Sequence, residues 1–333
     1  MDRRVAERIE AACADAGQRG GRIEPLVGGA SARTFWRVEL AGGAMAVAMV
    51  MPEGGPAAEE AGGGDEDGLR RWLGMRDALA VRGVPVPAVL GVVPGVALLE
   101  DLGDERLFER LNGAPDGTAF EAHLRGAADL LAAFQRQTAD LTVPRFFDAA
   151  VMRAELDEFR TMGLMQRNGV TLTAAEEATW AAVVARVVTR LDALPKVLAH
   201  RDFQSQNIML PAERAVLVDF QDAFMAPAAY DWVALLRDSY IALAPDVLTR
   251  ALTLASPAVR EAFALQTIQR KLKDAGRFVT LEARGKRGFL RWYGRTIGYV
   301  LDAMREDGGF NDAMDLLARH IPEARAHLAE SAA

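Results

Sequence analysis

The order of residues predicts an α+β chain in two lobes, a small β-rich one followed by a larger and mainly helical one. Three observations carry this. Residues 22–51 and 88–100 hold short apolar runs broken by glycines, the pattern of strands and hairpins. From about residue 120 onward the apolar residues recur at helical spacing. At 333 residues the chain is too long for one simple core. The first lobe is expected over 1–101 and the second over 102–333, because the apolar run stops in charge and glycine at Glu100-Asp101-Leu102-Gly103.

Residues 1–18 read as an amphipathic helix ending at Gly20-Gly21. Strands follow at Arg22–Gly28, Thr34–Leu40 and Met45–Met51, the last two joined by a turn at Gly42-Gly43. Pro52–Gly68, rich in Gly, Ala and Glu, predicts a mobile link. Arg70–Arg82 places Trp72, Leu73, Met75 and Leu79 at helical spacing, and Ala88–Val93 and Val96–Glu100 supply two more strands. Helices are then expected over Phe120–Thr138, Val151–Arg167 and Ala174–Leu191, and later near Tyr230–Leu243, Pro257–Arg284 and Arg287–Glu306. Pro144 and Pro195 mark breaks between them.

Half of the residues are hydrophobic and 26% charged, the balance of an ordinary globular protein. A net charge of −7 speaks against general nucleic-acid binding. Cys13 is the only cysteine, so no internal disulfide forms and a reducing compartment is expected. No apolar run approaches the length of a membrane span, and the charged N-terminus lacks the apolar core of a signal segment. The expectation is a cytoplasmic protein with no membrane association and no obligate protein partner.

Two segments carry chemistry. Residues 199–211 contain His200-Arg201-Asp202 and, five positions after the Asp, Asn207. An isolated His-x-Asp is common, and a strand ending in Asp is ordinary turn chemistry. Here, however, Val216-Leu217-Val218-Asp219-Phe220-Gln221-Asp222 follows, with Asp219 twelve residues beyond Asn207 and apolar strands Lys196–Ala199 and Asn207–Leu210 around the loop. That spacing suits phosphoryl transfer, in which Asp202 accepts the proton of an attacking hydroxyl while Asn207 and Asp219 offer oxygens to Mg²⁺. Between the first two strands, Gly28-Gly29-Ala30-Ser31-Ala32-Arg33 is small enough for its backbone N–H groups to approach phosphate. Glu100 and Leu102 stand where a hinge backbone would meet an adenine edge.

The runs 200–209, 218–223 and 229–240, the last reading Ala229-Tyr230-Asp231-Trp232 at its start, resemble the aminoglycoside/choline-kinase branch of the protein-kinase-like superfamily. Within it they are most similar to bacterial anomeric sugar kinases of cell-wall recycling. The resemblance spans nearly the whole chain and is most specific over 198–241. It implies a protein-kinase-like fold, ATP and Mg²⁺ as cofactors, and phosphorylation of the anomeric hydroxyl of N-acetylmuramate or N-acetylglucosamine. Residue by residue, it implies Asp202 as general base, Asn207 and Asp219 as metal ligands, Gly28, Gly29, Ala30, Ser31 and Arg33 as phosphate cover, and His200 and Asp231 as structural support for the loop. Asp222 and Asp238 match positions of unassigned role. The chain departs from most kinases at Met49, where the phosphate-holding strand lysine would stand; its first lysine is Lys196. Arg33 or Arg37 is the expected substitute.

Only ten residues separate Asp219 from Tyr230, too few for a peptide-binding activation segment, so the acceptor is expected to be small. Residues 267–296 hold nine basic residues against Asp274 and Glu282, a charge that suits an acidic sugar and not a polycationic antibiotic. Gln204, Arg270 and Lys273 are the expected acceptor contacts beside Asp202, with one or two of Arg270, Lys271, Lys273 and Arg277 touching the sugar and the others in water. The alternatives are a kinase for another small alcohol, such as an amino-alcohol or a different hexosamine, and a nucleotide-binding pseudokinase.

Overall fold

A computed structural model describes residues 2–26, 33–52, 65–113 and 117–331. The chain divides into two compact units, one of Met1–Arg106 with Asn207–Gln221, the other of Leu107–Gln206 with Asp222–Ala333.

The first unit is built on an antiparallel five-stranded sheet of order β1-β2-β3-β5-β4. Its strands are β1 (Gly20–Leu26), β2 (Thr34–Leu40), β3 (Met45–Val50), β4 (Val89–Val93) and β5 (Val96–Glu100). Alternation sends Val38 and Leu40 of β2, and Ala46, Ala48 and Val50 of β3, to one face. Helix α1 (Arg3–Asp15), capped by the Asp2 carboxylate on the Arg4 N–H, lays Ile9, Ala12 and Cys13 on that face. The approach is close enough to require glycine at position 91: a Cβ there would stand 2.4 Å from the Ala12 carbonyl oxygen. Helix α2 (Asp65–Ala80) buries Leu69, Trp72 and Leu79. It begins within the stretch expected as a link, the remainder of which, 53–64, lies outside the described residues.

Residues 207–221 were expected with the second lobe, yet they cluster with the first unit, and hydrogen bonds explain why. Strands β7 (Ile208–Met209) and β8 (Val216–Leu217) form a short hairpin, with Ile208 opposite Leu217 and Met209 opposite Val216. The Leu217 N–H donates to the Pro85 carbonyl at 2.8 Å, and the Leu210 N–H to that of Glu105 at 2.9 Å. The Phe220 ring lies 5.3 Å from that of Trp72.

The second unit is mainly helical: α3 (Leu107–Gly113), α4 (Gly117–Gln137), α5 (Ala149–Glu158), α6 (Ala174–Asp192), α7 (Ala229–Leu236), α8 (Pro245–Leu252), α9 (Pro257–Ala283), α10 (Tyr293–Asp307), α11 (Asn311–His320) and α12 (Pro322–Glu330). The helix expected over Val151–Arg167 continues from α5 as a π-helical stretch, Phe159–Gln166. Where α9 passes this stretch, a Cβ on Gly276 would stand 2.8 Å from the Phe159 Cα. A two-stranded ladder of β6 (Lys196–Ala199) and β9 (Phe224–Pro227) ends at Ala199, one residue before His200. All eight residues of α7 are buried, and the long α9 runs through the core with Ile268, Leu272 and Ala275 fully covered. The helix expected to reach Leu243 stops at Leu236, because the Asp238 carboxylate turns back to accept the Tyr240 N–H at 2.9 Å. No helix among the described residues is long and apolar enough to cross a membrane.

Candidate active site

In the second unit, β6 delivers His200-Arg201-Asp202 into a loop braced from below by α7. The N–H groups of His200 and Arg201 donate to the two oxygens of Asp231, at 2.6 and 3.1 Å. Asp231 is fully buried, and burial pushes its carboxyl up to about 7 against the pull of these N–H groups and of Arg270. Arg201 has φ +80, a left-handed conformation that costs a side-chain-bearing residue about 1 kcal/mol or more; the two bonds to Asp231 hold it there. His200 is itself buried, edge-on to Phe203 at 5.7 Å.

Asp202 is one-third exposed at its side chain while Arg270, beneath it, is fully buried. The Arg270 guanidinium donates to the Arg201 carbonyl at 2.7 Å and to Asp202 Oδ1 at 3.2 Å, and lies 4.6 Å over the Tyr230 ring. Burial raises the Asp202 carboxyl, but Lys273, Arg270 and Arg201 outweigh it and hold Asp202 below the usual carboxylate range. Asp202 is thus held ionised with about a third of its side chain exposed. Three residues on, Ser205 donates through its N–H and Oγ to Asp238 Oδ2 at 3.0 and 2.6 Å. Asp238 thus braces the far end of the loop as Asp231 braces the near end.

Of four α9 bases, Arg270 and Lys273 were expected to touch the acceptor and Lys271 and Arg277 to lie in water; Lys271 does not. Arg270 and Lys271 are fully buried, Lys271 pairing with Asp274 at 2.7 Å. Lys273, 16% exposed, also pairs with Asp274, at 3.3 Å, and only Arg277 is largely in water. The fully buried Arg270 commits its guanidinium to the Arg201 carbonyl and the Asp202 carboxylate. Gln204 is half-buried, its N–H donating to the Asp202 carbonyl at 2.8 Å. Asp222 pairs with Arg145 at 2.7 Å, giving it an electrostatic partner that its sequence position did not suggest.

In the first unit, Asn207 and Asp219 flank the same hairpin. The Val218 N–H donates to the Asn207 carbonyl at 3.1 Å, so the register sets Asp219 one step past the residue facing Asn207. Asp219 has φ +65, and the Gln221 amide donates to its Oδ1 at 2.8 Å. Among the described residues no group of three or more His, Cys, Asp or Glu forms a metal cage. One carboxylate and one carboxamide oxygen nonetheless fit Mg²⁺, a hard cation that completes its shell with phosphate and water.

The two candidate replacements for the strand lysine part company. Arg37 is held by Asp101 at 2.7 Å and Asp104 at 2.9 Å, which raise its affinity for its proton. Arg33 sets Nη2 3.9 Å from Asp219 Oδ1 with its side chain 9% exposed. Met49 is buried opposite Phe35 in the sheet. Glu100 commits its N–H to Ala88 at 2.9 Å and its carboxylate to the Ala88 N–H and Arg214, and Leu102 is buried. Gly28, Gly29, Ala30 and Ser31 lie outside the described residues.

A braced Asp held ionised in one unit, and an Asn/Asp hairpin with an arginine beside it in the other, are the residue types that phosphotransferases of protein-kinase-like fold use. The chain belongs to the phosphotransferase enzyme family, which it matches over residues 22–266. It is 28% identical over 278 residues to the N-acetylmuramate/N-acetylglucosamine kinase of Pseudomonas putida, covering 78% of this chain and 80% of that protein. It is 31% identical over 217 residues to the protein of the same name from Neisseria meningitidis, covering 60% of this chain and 65% of that one. Among solved structures, the GDP complex of wild-type aminoglycoside 2'-phosphotransferase-IIIa shares the fold with a TM-score of 0.63 at 13% identity, covering 92% of this chain and 99% of its own.

Proposed function

We propose that the protein is a cytoplasmic kinase that transfers the γ-phosphoryl group of ATP to the anomeric hydroxyl of N-acetylmuramate, and of N-acetylglucosamine, giving the 1-phosphate in peptidoglycan recycling. The observation that carries this reading is Asp202: ionised, one-third exposed, and held by Arg270 and the Asp231-braced backbone. The likeness to two kinases named for these sugars supports the acceptor class. In the proposed step the anomeric oxygen bonds to the γ-phosphorus as the bond to the β–γ bridging oxygen breaks, ADP leaves, and Asp202 collects the hydroxyl proton late. Mg²⁺, held by Asn207 and Asp219, would supply positive charge against the phosphate oxygens. Arg33 stands in for the strand lysine as a second cation toward phosphate, the small residues Gly28, Gly29, Ala30 and Ser31 cover it, and the backbone near Glu100 and Leu102 meets the adenine. Gln204 and Lys273 face the sugar hydroxyls.

A panel of N-acetylmuramate, N-acetylglucosamine, other hexosamines and amino-alcohols, each incubated with Mg-ATP, tests the reading. Sugar-dependent ADP release with an anomeric phosphate signal in ³¹P NMR is expected for the first two. ADP release with an amino-alcohol and with neither sugar would replace it.

A further inference from the structure

Within that reading, we propose that Arg295, set beside the ring of Trp292, selects the carboxylate-bearing sugar over its neutral counterpart. Of the basic residues of α9, Arg277 is half-exposed near Glu158, while Arg270, Lys271 and Lys273 are already answered inside the second unit. Arg270 pairs with Asp202, and Lys271 and Lys273 share Asp274 at 2.7 and 3.3 Å. A substrate carboxylate brought to them would compete with these buried acids. The stretch 284–295 is different, for it holds five basic residues and no acid.

Of these five, Arg295 is tied to the segment that braces the catalytic loop. Its Nη1 donates to the Ser239 carbonyl at 3.2 Å. The neighbouring Asp238 accepts from Ser205, three residues after Asp202, at 2.6 Å. One residue step, about 3.8 Å between Cα atoms, therefore separates the brace of the loop from the anchor of the guanidinium. Arg295 is exposed, so its remaining N–H groups face solvent in a fork that matches a carboxylate.

The ring beside it supplies the other half of the recognition. Trp292 has the Arg295 guanidinium 5.4 Å from its centre and meets Tyr240 edge-on at 5.6 Å. Both rings are half-buried, each leaving part of its surface open. The lactyl ether that distinguishes N-acetylmuramate from N-acetylglucosamine carries a methyl group and a carboxylate on one carbon, and an apolar ring flanked by a guanidinium complements both.

Steady-state kinetics of wild type, Arg295→Gln and Arg295→Lys on both sugars decide the matter, with thermal melting to establish that each variant folds. Arg295→Gln is expected to raise KM for N-acetylmuramate by about ten- to a hundredfold, with KM for N-acetylglucosamine nearly unchanged. Arg295→Lys, which keeps the charge and loses the fork, should fall between. Equal effects on the two sugars, or none, overturn the assignment while the kinase reading stands. A wild-type protein that phosphorylates neither sugar overturns the proposed function and this selection with it.

Discussion

Asp202 works by being held, and most of what holds it lies far away in sequence. Arg270 is 68 positions downstream, and Asp231 acts only through the N–H groups of His200 and Arg201. The base touches the acceptor and not the nucleotide in the proposed step. Asp202→Asn is therefore expected to lower kcat by about 10²–10⁴-fold with KM for ATP near wild type, and turnover at the wild-type rate would remove Asp202 from the chemistry. Asp202, Asn207 and Asp219 stood out in the sequence because their spacing along the chain is itself the pattern; their roles remain as proposed. Arg270 was expected as an acceptor contact, and its burial beneath Asp202 was not legible, since a basic residue is rarely fully buried. Only the fold shows the Arg201 carbonyl, the Asp202 carboxylate and the Tyr230 ring converging on its guanidinium. Asp238 was visible but without a role, since its partner Ser205 stands 33 residues earlier.

At the level of elements, the strands were readable to within a few residues because their apolar alternation survives in the burial of Val38, Leu40, Ala46 and Ala48. Helices α3, α8, α11 and α12 went unpredicted: each spans seven to ten residues, too short for a periodicity to stand out. Helix α6 shows what a start signal looks like when tertiary contacts reinforce it. Thr173 and Glu176 form a reciprocal capping box, and Glu176 Oε1 also meets Arg319 at 2.7 Å and His320 at 2.8 Å near the end of α11. The Thr173 N–H, then His320 and Arg319, hold the Glu176 carboxyl down to about 2. A depressed carboxylate contributes stability that is complete above its unfolded value, near 4.5, and is lost as pH falls toward about 2. Glu176→Gln should accordingly lower the melting temperature at pH 7, with the gap to wild type closing as pH drops below about 4. A gap that stays constant across that range would show that the carboxylate's charge plays no part in joining α6 to α11.

For the molecule as a whole, the sequence order suggested one cut near residue 101, but the first unit takes back Asn207–Gln221 through Pro85, Glu105 and Trp72. Those partners are more than 100 residues away from the hairpin, a separation that local patterns do not encode. The consequence is functional, because Asn207 and Asp219 belong to the unit that also carries Arg33. A nucleotide that binds through Mg²⁺ at this hairpin binds the native chain and not the unfolded one, so it raises stability by RT ln(1 + [L]/Kd), about 2.7 kcal/mol at a hundred times Kd. In a chain of this length that corresponds to roughly 2 °C per kcal/mol or somewhat less. Melting the wild type with ADP, which cannot turn over, should give a shift that grows on adding Mg²⁺ and shrinks again with EDTA. Asp219→Ala removes the one carboxylate of the pair, and with it the Mg²⁺-dependent part of the shift, while whatever ADP gains from backbone N–H groups and Arg33 persists. If the variant responds to Mg²⁺ as the wild type does, the ion is held elsewhere and the hairpin is only a structural link of the first unit.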